Sequence, residues 1–470
     1  MKNRESDNMM KNLKVSSLIW KMGLPMVVSM VMQALYNIVD TAFVINMGEE
    51  GINANLALTY AFPVQIFMIA VGVGTGIGIN ALLSKSLGEG NREKASRTVG
   101  NGLFIGVIIY LVFLLFGIFG SESFIRMQAD GNEESISFGK EYLTIVCTLS
   151  FSQVGYTVYE RFLLATGKTM LSTIGQVSGA ITNIVLDYVF IYPLEMGVKG
   201  AAYATVIGQT VSFLLNLFFH YFLNKEVSNK VKDIKPDRET ILGILKLGIP
   251  AMIMQALLSV MMLGVNLILG VSSYDRDLLT GSFGIYYKIQ QIPLFAAFGM
   301  SNALISVVSF NFGLGEKERV KESFKWGVID TIIVSLIFAV VFEILAKPIA
   351  DIFGLASGSS SAEIIDTVTF DIRIASIGFI FMGISVSLQG VLQGLRYVIL
   401  PVIISLLRLA IFIFPIVFLF TLSENARYLI WFTFPLSEIL TSLFSFLISK
   451  REVERKLSVL KTEKTEISNL

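Results

Sequence analysis

The chain repeats itself. Gly23-Leu24-Pro25 opens one apolar stretch, and Gly248-Ile249-Pro250 opens another 225 residues later. The run Leu87-Gly88-Glu89-Gly90-Asn91-Arg92-Glu93-Lys94 returns at the same offset as Phe312-Gly313-Leu314-Gly315-Glu316-Lys317-Glu318-Arg319. Between these landmarks the chain is a succession of apolar runs, each long enough to cross a hydrocarbon core of about 30 Å. A duplicated membrane bundle is a common build for secondary transporters, with the substrate handled where the halves meet. The repeat alone therefore points to a carrier.

Composition narrows the alternatives. Hydrophobic residues make up 54% of the chain and charged ones 16%, against about 25% charged in a typical soluble protein. The protein is therefore expected to be integral to a membrane and surrounded by the lipid bilayer. The net charge of +1 says nothing about partners, and no nucleic-acid partner is expected. The single cysteine, Cys147, rules out an intrachain disulfide. With His220 as the single histidine, a zinc site built from His and Cys is excluded by count. The first fourteen residues are polar and charged, and no cleavable signal peptide is expected. There is no phosphate-cradling Gly-x-x-x-x-Gly-Lys-Ser/Thr loop and no large soluble domain to hold ATP. Transport is then expected to run on an ion gradient. A potassium-channel filter is missing. So are the paired acidic motifs or histidine cluster that an intramembrane enzyme would need. Neither catalysis nor a resident cofactor is expected.

Hydropathy predicts an all-α membrane protein with twelve spans. They fall near 15–46, 54–84, 94–119, 136–163, 169–191 and 198–222, then 238–270, 278–306, 320–343, 362–390, 398–420 and 427–449. Six spans per half make the repeats parallel, related by a pseudo-twofold axis along the membrane normal. The lobes are read as 1–222 and 239–470, joined by a charged linker at 223–238. Lysine and arginine concentrate in one set of connections, including Arg92, Lys94, Arg97, Lys168, Lys225, Lys317, Arg319 and Arg396, and near both termini. The opposite set, with Glu49, Glu50, Asp130 and Glu195, is poorer in them. The positive-inside rule then puts both termini and the linker in the cytoplasm. Prolines stand in or near the starts of spans, and Pro25 is the prime candidate for a bend that changes during transport.

Ionisable residues inside the membrane are costly and are functional suspects by default. Asp40 lies about six residues before the outer end of the first span, roughly 9 Å deep at about 1.5 Å per residue. Asp187 is near the outer end of the fifth span, with Asn183 one turn earlier on the same face. Thr205 and Tyr142 fall at similar depth in the sixth and fourth spans. If these residues converge, the two carboxylates repel unless they hold a proton or a small cation. Asp40, Asp187, Asn183 and Thr205 are the expected ligands if that cation is Na+. Glu160 sits lower in the fourth span. It is expected either to line the substrate cavity or to form an ion pair with Arg161. In the second half Arg408 and Glu438 reach mid-membrane depth and are expected to pair. Asp330, Asp371 and Arg373 are further candidates. The seventh span carries no acid in its apolar run, so the ion site is expected in the first half.

Several stretches carry a specific resemblance: Pro25, Asn37-Ile38-Val39-Asp40, Leu87-Gly88-Glu89-Gly90, Ala165-Thr166-Gly167-Lys168, Asn183-Ile184-Val185-Leu186-Asp187, and Gly197-Val198-Lys199-Gly200-Ala201-Ala202-Tyr203-Ala204-Thr205. With them the chain, over nearly its whole length, resembles the multidrug and toxic compound extrusion family. The resemblance implies a twelve-helix bundle of two six-helix lobes forming a V, working by alternating access. It implies a plasma-membrane antiporter, expected to act as a monomer, that admits Na+ or H+ while organic cations and other amphipathic compounds leave. It places the coupling ion among Asp40, Tyr142, Asn183, Asp187 and Thr205. Two other readings are a flippase for a lipid-linked precursor, in a related superfamily with a similar bundle, and an exporter of a single metabolite.

Overall fold

The computed structural model describes residues 5–47, 51–128, 133–227, 234–272, 275–356 and 361–468. Every regular element among them is helical. The first half comprises α1 (Glu5–Asn12), α2 (Val15–Ile45), α3 (Gly51–Gly88), α4 (Arg92–Phe119), α5 (Ser121–Gln128), α6 (Glu133–Thr148), α7 (Phe151–Ala165), α8 (Thr169–Ile191) and α9 (Gly197–Leu223). The second comprises α10 (Arg238–Leu269), α11 (Arg276–Leu314), α12 (Lys317–Ile344), α13 (Ala346–Ala356), α14 (Ala362–Gly394), α15 (Ile399–Leu406), α16 (Ile413–Thr421), α17 (Ala426–Leu429) and α18 (Thr433–Ser468). Glu49, Glu50, Asp130 and the linker residues 228–233 lie outside the described residues.

Among the described residues, eleven helical stretches are long and apolar enough to cross a membrane. The remaining crossing is the fourth span, which is two helices rather than one. α6 and α7, of 16 and 15 residues, meet at Leu149 and Ser150. Hydroxyls turn inward there: Thr148 Oγ1 donates to Thr144 O at 2.6 Å, and Ser152 Oγ donates to Leu149 O at 2.9 Å. Side chains that bond nearby carbonyls compete with the helix ladder and bend it. The eleventh span is interrupted as well. Between α15 and α16, Leu407–Ile411 form a π-turn, closed by Phe412 N donating to Leu407 O at 3.0 Å. By contrast α2 runs on through Pro25 without ending.

The internal repeat has a geometric meaning. Gly90 and Gly315, 225 residues apart, both adopt a positive φ, at 70° and 73°, which only glycine takes readily. Two residues earlier, Gly88 and Gly313 are where the halves touch. A Cβ on Gly88 would stand 2.2 Å from Phe310 O, and one on Gly313 would stand 2.4 Å from Lys85 O. Lys85 and Phe310 are themselves 225 residues apart, so α3 and α11 cross with the same contact made twice about a twofold axis. Nearby, Ser306 Oγ donates to Asn80 Oδ1 at 3.0 Å across the same seam.

A second repeated feature escapes hydropathy. α5 and α13 begin 225 residues apart, each following the third span of its half. Both are too short to span. Each buries one side, through Ile125 in α5 and Ala346, Ala350 and Phe353 in α13, and exposes the other. That pattern fits helices lying along a membrane surface. On α5, Glu122 is held by Lys140 Nζ at 2.6 Å and by Arg126 Nε at 3.1 Å, which keeps its carboxyl below the usual carboxylate range.

The two halves together line a cavity, with Met30 and Arg161 on one side and Met254, Phe295 and Arg408 on the other. α2 stands beside it between the halves. Met22 and Val27 join the buried apolar cluster around Met300 and Leu304 of α11, while Val31 and Ile38 pack against the core of the second half.

Candidate functional site in the first half

The first, fourth, fifth and sixth spans bring a polar cluster together inside an apolar bundle. Asp187 is fully buried on α8, and Asn183, one turn earlier, donates from Nδ2 to Asp187 Oδ2. The i, i+4 spacing makes that bond available within one helix. The other oxygen, Asp187 Oδ1, is buried with no protein partner. Asp40 on α2 is in the same condition: its Oδ1 is buried and unpartnered. The two carboxylates lie within electrostatic reach of each other, and like charges there repel.

Tyr142 of α6 is 2% exposed and lies within reach of both carboxylates. Its hydroxyl accepts a hydrogen bond from Gln65 Nε2 of α3 at 2.7 Å. Thr205 of α9 is buried. α8 and α9 run antiparallel, and Gly208 of α9 lies against Asn183. Thr205, one turn earlier, is thereby level with Asp187. The structure thus brings Asp40, Asp187, Asn183 and Tyr142 near one another and sets Thr205 at the level of Asp187.

It also adds residues that depth did not suggest. Tyr36 lies one turn before Asp40 on α2 and feels the charge of both Asp40 and Asp187. Tyr36, Asn183, Gln176 and Tyr156 line a small polar pocket inside the first half. Gln176 Nε2 donates to Gln33 Oε1 of α2 at 3.1 Å, and Ser29 Oγ of α2 donates to Gln176 Oε1. Gln33 in turn lines the cavity between the halves. A chain of polar groups therefore links the carboxylate site to that cavity through α2. The i, i+4 spacing of Tyr36 and Asp40 was the sequence signal for Tyr36. Nothing in the sequence signalled Gln176.

Besides the Asn183 amide nitrogen on Asp187, the site offers carboxylate, phenol and amide oxygens, which suit a proton or a hard cation such as Na+. Among the described residues no group of three or more His, Cys, Asp and Glu could hold a metal ion.

Glu160 departs from the cavity-lining expectation. The residue on the cavity wall is its neighbour Arg161. Glu160 is buried behind it, with Oε2 at 3.6 Å from Arg161 Nε and Oε1 without a partner. A buried carboxylate is less costly beside a guanidinium than facing an apolar wall. Arg161 Nη1 donates across the seam to Asn302 Oδ1 at 3.0 Å.

In the second half, Arg408 Nε donates to Glu438 Oε1 at 2.8 Å, the expected pair. Asp330 is buried and meets Trp20 of α2, whereas Arg373 is exposed. Asp371 is a less expected feature. It is fully buried, both its oxygens lack partners, and it lies near the equally unpartnered hydroxyl of Tyr286. The acid-free stretch of the seventh span therefore does not leave the second half without a buried, unpartnered carboxylate.

Comparison with known proteins follows the same outline. Multidrug export protein MepA of Staphylococcus saprophyticus subsp. saprophyticus is 26% identical over 374 residues, covering 79% of this chain and 80% of that protein. MepA of Staphylococcus aureus strain MSSA476 is 24% identical over 432 residues, 91% of each. A solved structure described as an outward-facing conformation of a multidrug resistance MATE family transporter of the MOP superfamily shares the fold. Its TM-score is 0.89, at 22% identity, over 97% of this chain and 98% of that one. The MatE family model matches residues 25–189 and again residues 250–419. One match falls in each half of the repeat, most of the chain is covered, and the multi-pass helical bundle is that of the solved relatives: the chain belongs to the MatE family, a family of membrane transporters.

Proposed function

We propose that the protein is a secondary active exporter of small amphipathic compounds, exchanging them for Na+ or H+ bound at Asp40 and Asp187. The observation that carries this reading is the pair of mutually repelling carboxylates in the first half, each with a buried, unpartnered oxygen. Such a pair is at ease only when it holds a cation or a proton. Asn183, Thr205 and Tyr142 supply the neutral oxygens that a Na+ shell needs. The printed names of the MepA relatives support multidrug export.

The coupling runs through α2. Arrival of the ion cancels the repulsion between α2 and α8, so the two helices repack. Gln33, bonded to Gln176, carries that change to the wall of the cavity. The end of the bundle that carries both termini and the repeated glycine loops is cytoplasmic, as its lysines and arginines favour. The membrane is the plasma membrane.

The test is dye movement in proteoliposomes under an imposed Na+ gradient and, separately, under an H+ gradient. The dyes are ethidium and a rhodamine with a free benzoate. Movement of either dye under one gradient, lost in Asp187→Asn, is the expected result. No movement of either dye under either gradient, by protein that remains folded, overturns the proposal.

A further inference from the structure

The cavity between the halves has a polarity of its own. Two guanidinium groups line it, Arg161 from α7 and Arg408 from the π-turn. No aspartate, glutamate or lysine lines it with them. Each guanidinium is braced from behind. Arg408 gives its Nε to Glu438 and lines the cavity. Arg161 gives Nη1 to Asn302, while its Nε, 3.6 Å from Glu160 Oε2, makes no hydrogen bond.

Two further features bear on Arg408. Inserted π-turns are rare and frequently mark functional sites, and this one coincides with Arg408. The repeat adds a second point: Arg408 lies 225 residues after Asn183, so a cation occupies in one half the place that the ion-site amide holds in the other.

The remainder of the wall is suited to an amphiphile. Met30, Met254, Leu258, Phe295 and Phe298 offer apolar and aromatic surface. Methionine and aromatic walls adapt to varied shapes.

We propose that this cavity selects compounds carrying a carboxylate on an apolar body, with Arg161 and Arg408 as the specificity-determining residues. A guanidinium is always charged, and its planar fork matches a carboxylate. An organic cation would meet N–H donors of its own sign and no acid on the wall. This proposal rests on reading the chain as an exporter and names its substrate class.

The test is equilibrium binding of two dyes to the purified full-length protein, followed by fluorescence anisotropy without any gradient. One dye is a rhodamine with a free benzoate, and the other is its methyl ester. The acid is expected to bind about tenfold tighter than the ester, a difference of about 1.4 kcal/mol. In the double variant Arg408→Gln/Glu438→Gln, which removes both charges together, the ratio is expected to fall toward one. The same is expected of Arg161→Gln/Glu160→Gln. Equal or tighter binding of the ester by the wild type overturns the proposal, and that comparison needs no variant to fold. An acid preference that survives in both folded double variants overturns it as well. Acid preference in binding, with no gradient-driven movement of either dye, would overturn the exporter reading and leave this one standing. Gradient-driven movement with no acid preference would do the reverse.

Discussion

At the scale of single residues, the site is defined by what its polar atoms lack. Asp187 Oδ1 and Asp40 Oδ1 are buried without partners, and the two carboxylates lie within electrostatic reach of each other. An unmet buried charge destabilises. Replacing either aspartate by asparagine removes the charge at nearly constant volume. We therefore expect Asp187→Asn and Asp40→Asn each to lower gradient-driven efflux by about 100-fold or more. Each should also leave thermal stability in detergent equal to or higher than that of the parent, by about 1–3 kcal/mol at most. Transport at the parental rate, or a variant that unfolds, would contradict a site built for an ion at the expense of stability. The sequence made the aspartates legible because a carboxylate in an apolar run stands out. Depth along each helix grouped Asn183, Thr205 and Tyr142 with them. Gln176 was not legible: an amide on a helix face has no meaning until α2 and α8 are docked and it bonds Gln33 and Ser29. Glu160 shows the limit of depth as a guide. Depth placed it near the cavity, but rotation about α7 gives the wall to Arg161.

At the scale of elements, the spans were legible because each carries its own apolar run and punctuation. The interruptions were not. The break between α6 and α7 depends on hydroxyls choosing local carbonyls, and the π-turn around Arg408 is one extra residue in an otherwise uniform run. α5 and α13 were missed because a hydropathy window long enough to find a span averages out an amphipathic helix of 8 or 11 residues. The repeated glycine loops were recognised as a pattern, and docking supplied their purpose. Because Gly88 and Gly313 let α3 and α11 approach within backbone contact, an added methyl at either position must push the halves apart. Overpacking of this kind costs about 1–3 kcal/mol. If the seam parts during transport, that cost falls on the conformation closed at this end alone. Gly88→Ala and Gly313→Ala should each shift the population toward the conformation open there, by about 10-fold. Maleimide labelling of a cysteine placed at Ser306, buried in the seam against Asn80, in a Cys147→Ser background, reports it. Labelling is expected to speed up by about that factor in both variants. An unchanged rate would mean the seam has slack to absorb a methyl group.

At the scale of the molecule, the two halves share a scaffold and divide the chemistry. The first half carries the paired carboxylates. The second presents a guanidinium at the repeat position of Asn183, and the cavity lies where the two meet. Under the proposed exchange the carrier would open alternately at its two ends, with the seam at the end carrying the termini as one of the two gates. α2 is the element both halves hold. Its Gly23, just before Pro25, faces α11, and a Cβ there would stand 3.8 Å from Ala303 Cβ. That separation is close to the mean for a disulfide, about 3.8 Å. Met300, whose flexible side chain reaches into the same space, can swing aside. The pair Gly23→Cys/Ala303→Cys, in the Cys147→Ser background, should therefore cross-link the halves under mild oxidation. If this seam has to part once per cycle, the oxidised protein is expected to lose gradient-driven efflux almost completely and to regain it on reduction. Dye binding in the cavity should persist in the oxidised form, because neither substituted residue lines it. Full transport by fully cross-linked protein would show that α2 and α11 stay joined throughout the cycle, and that the gate lies between α3 and the second half instead.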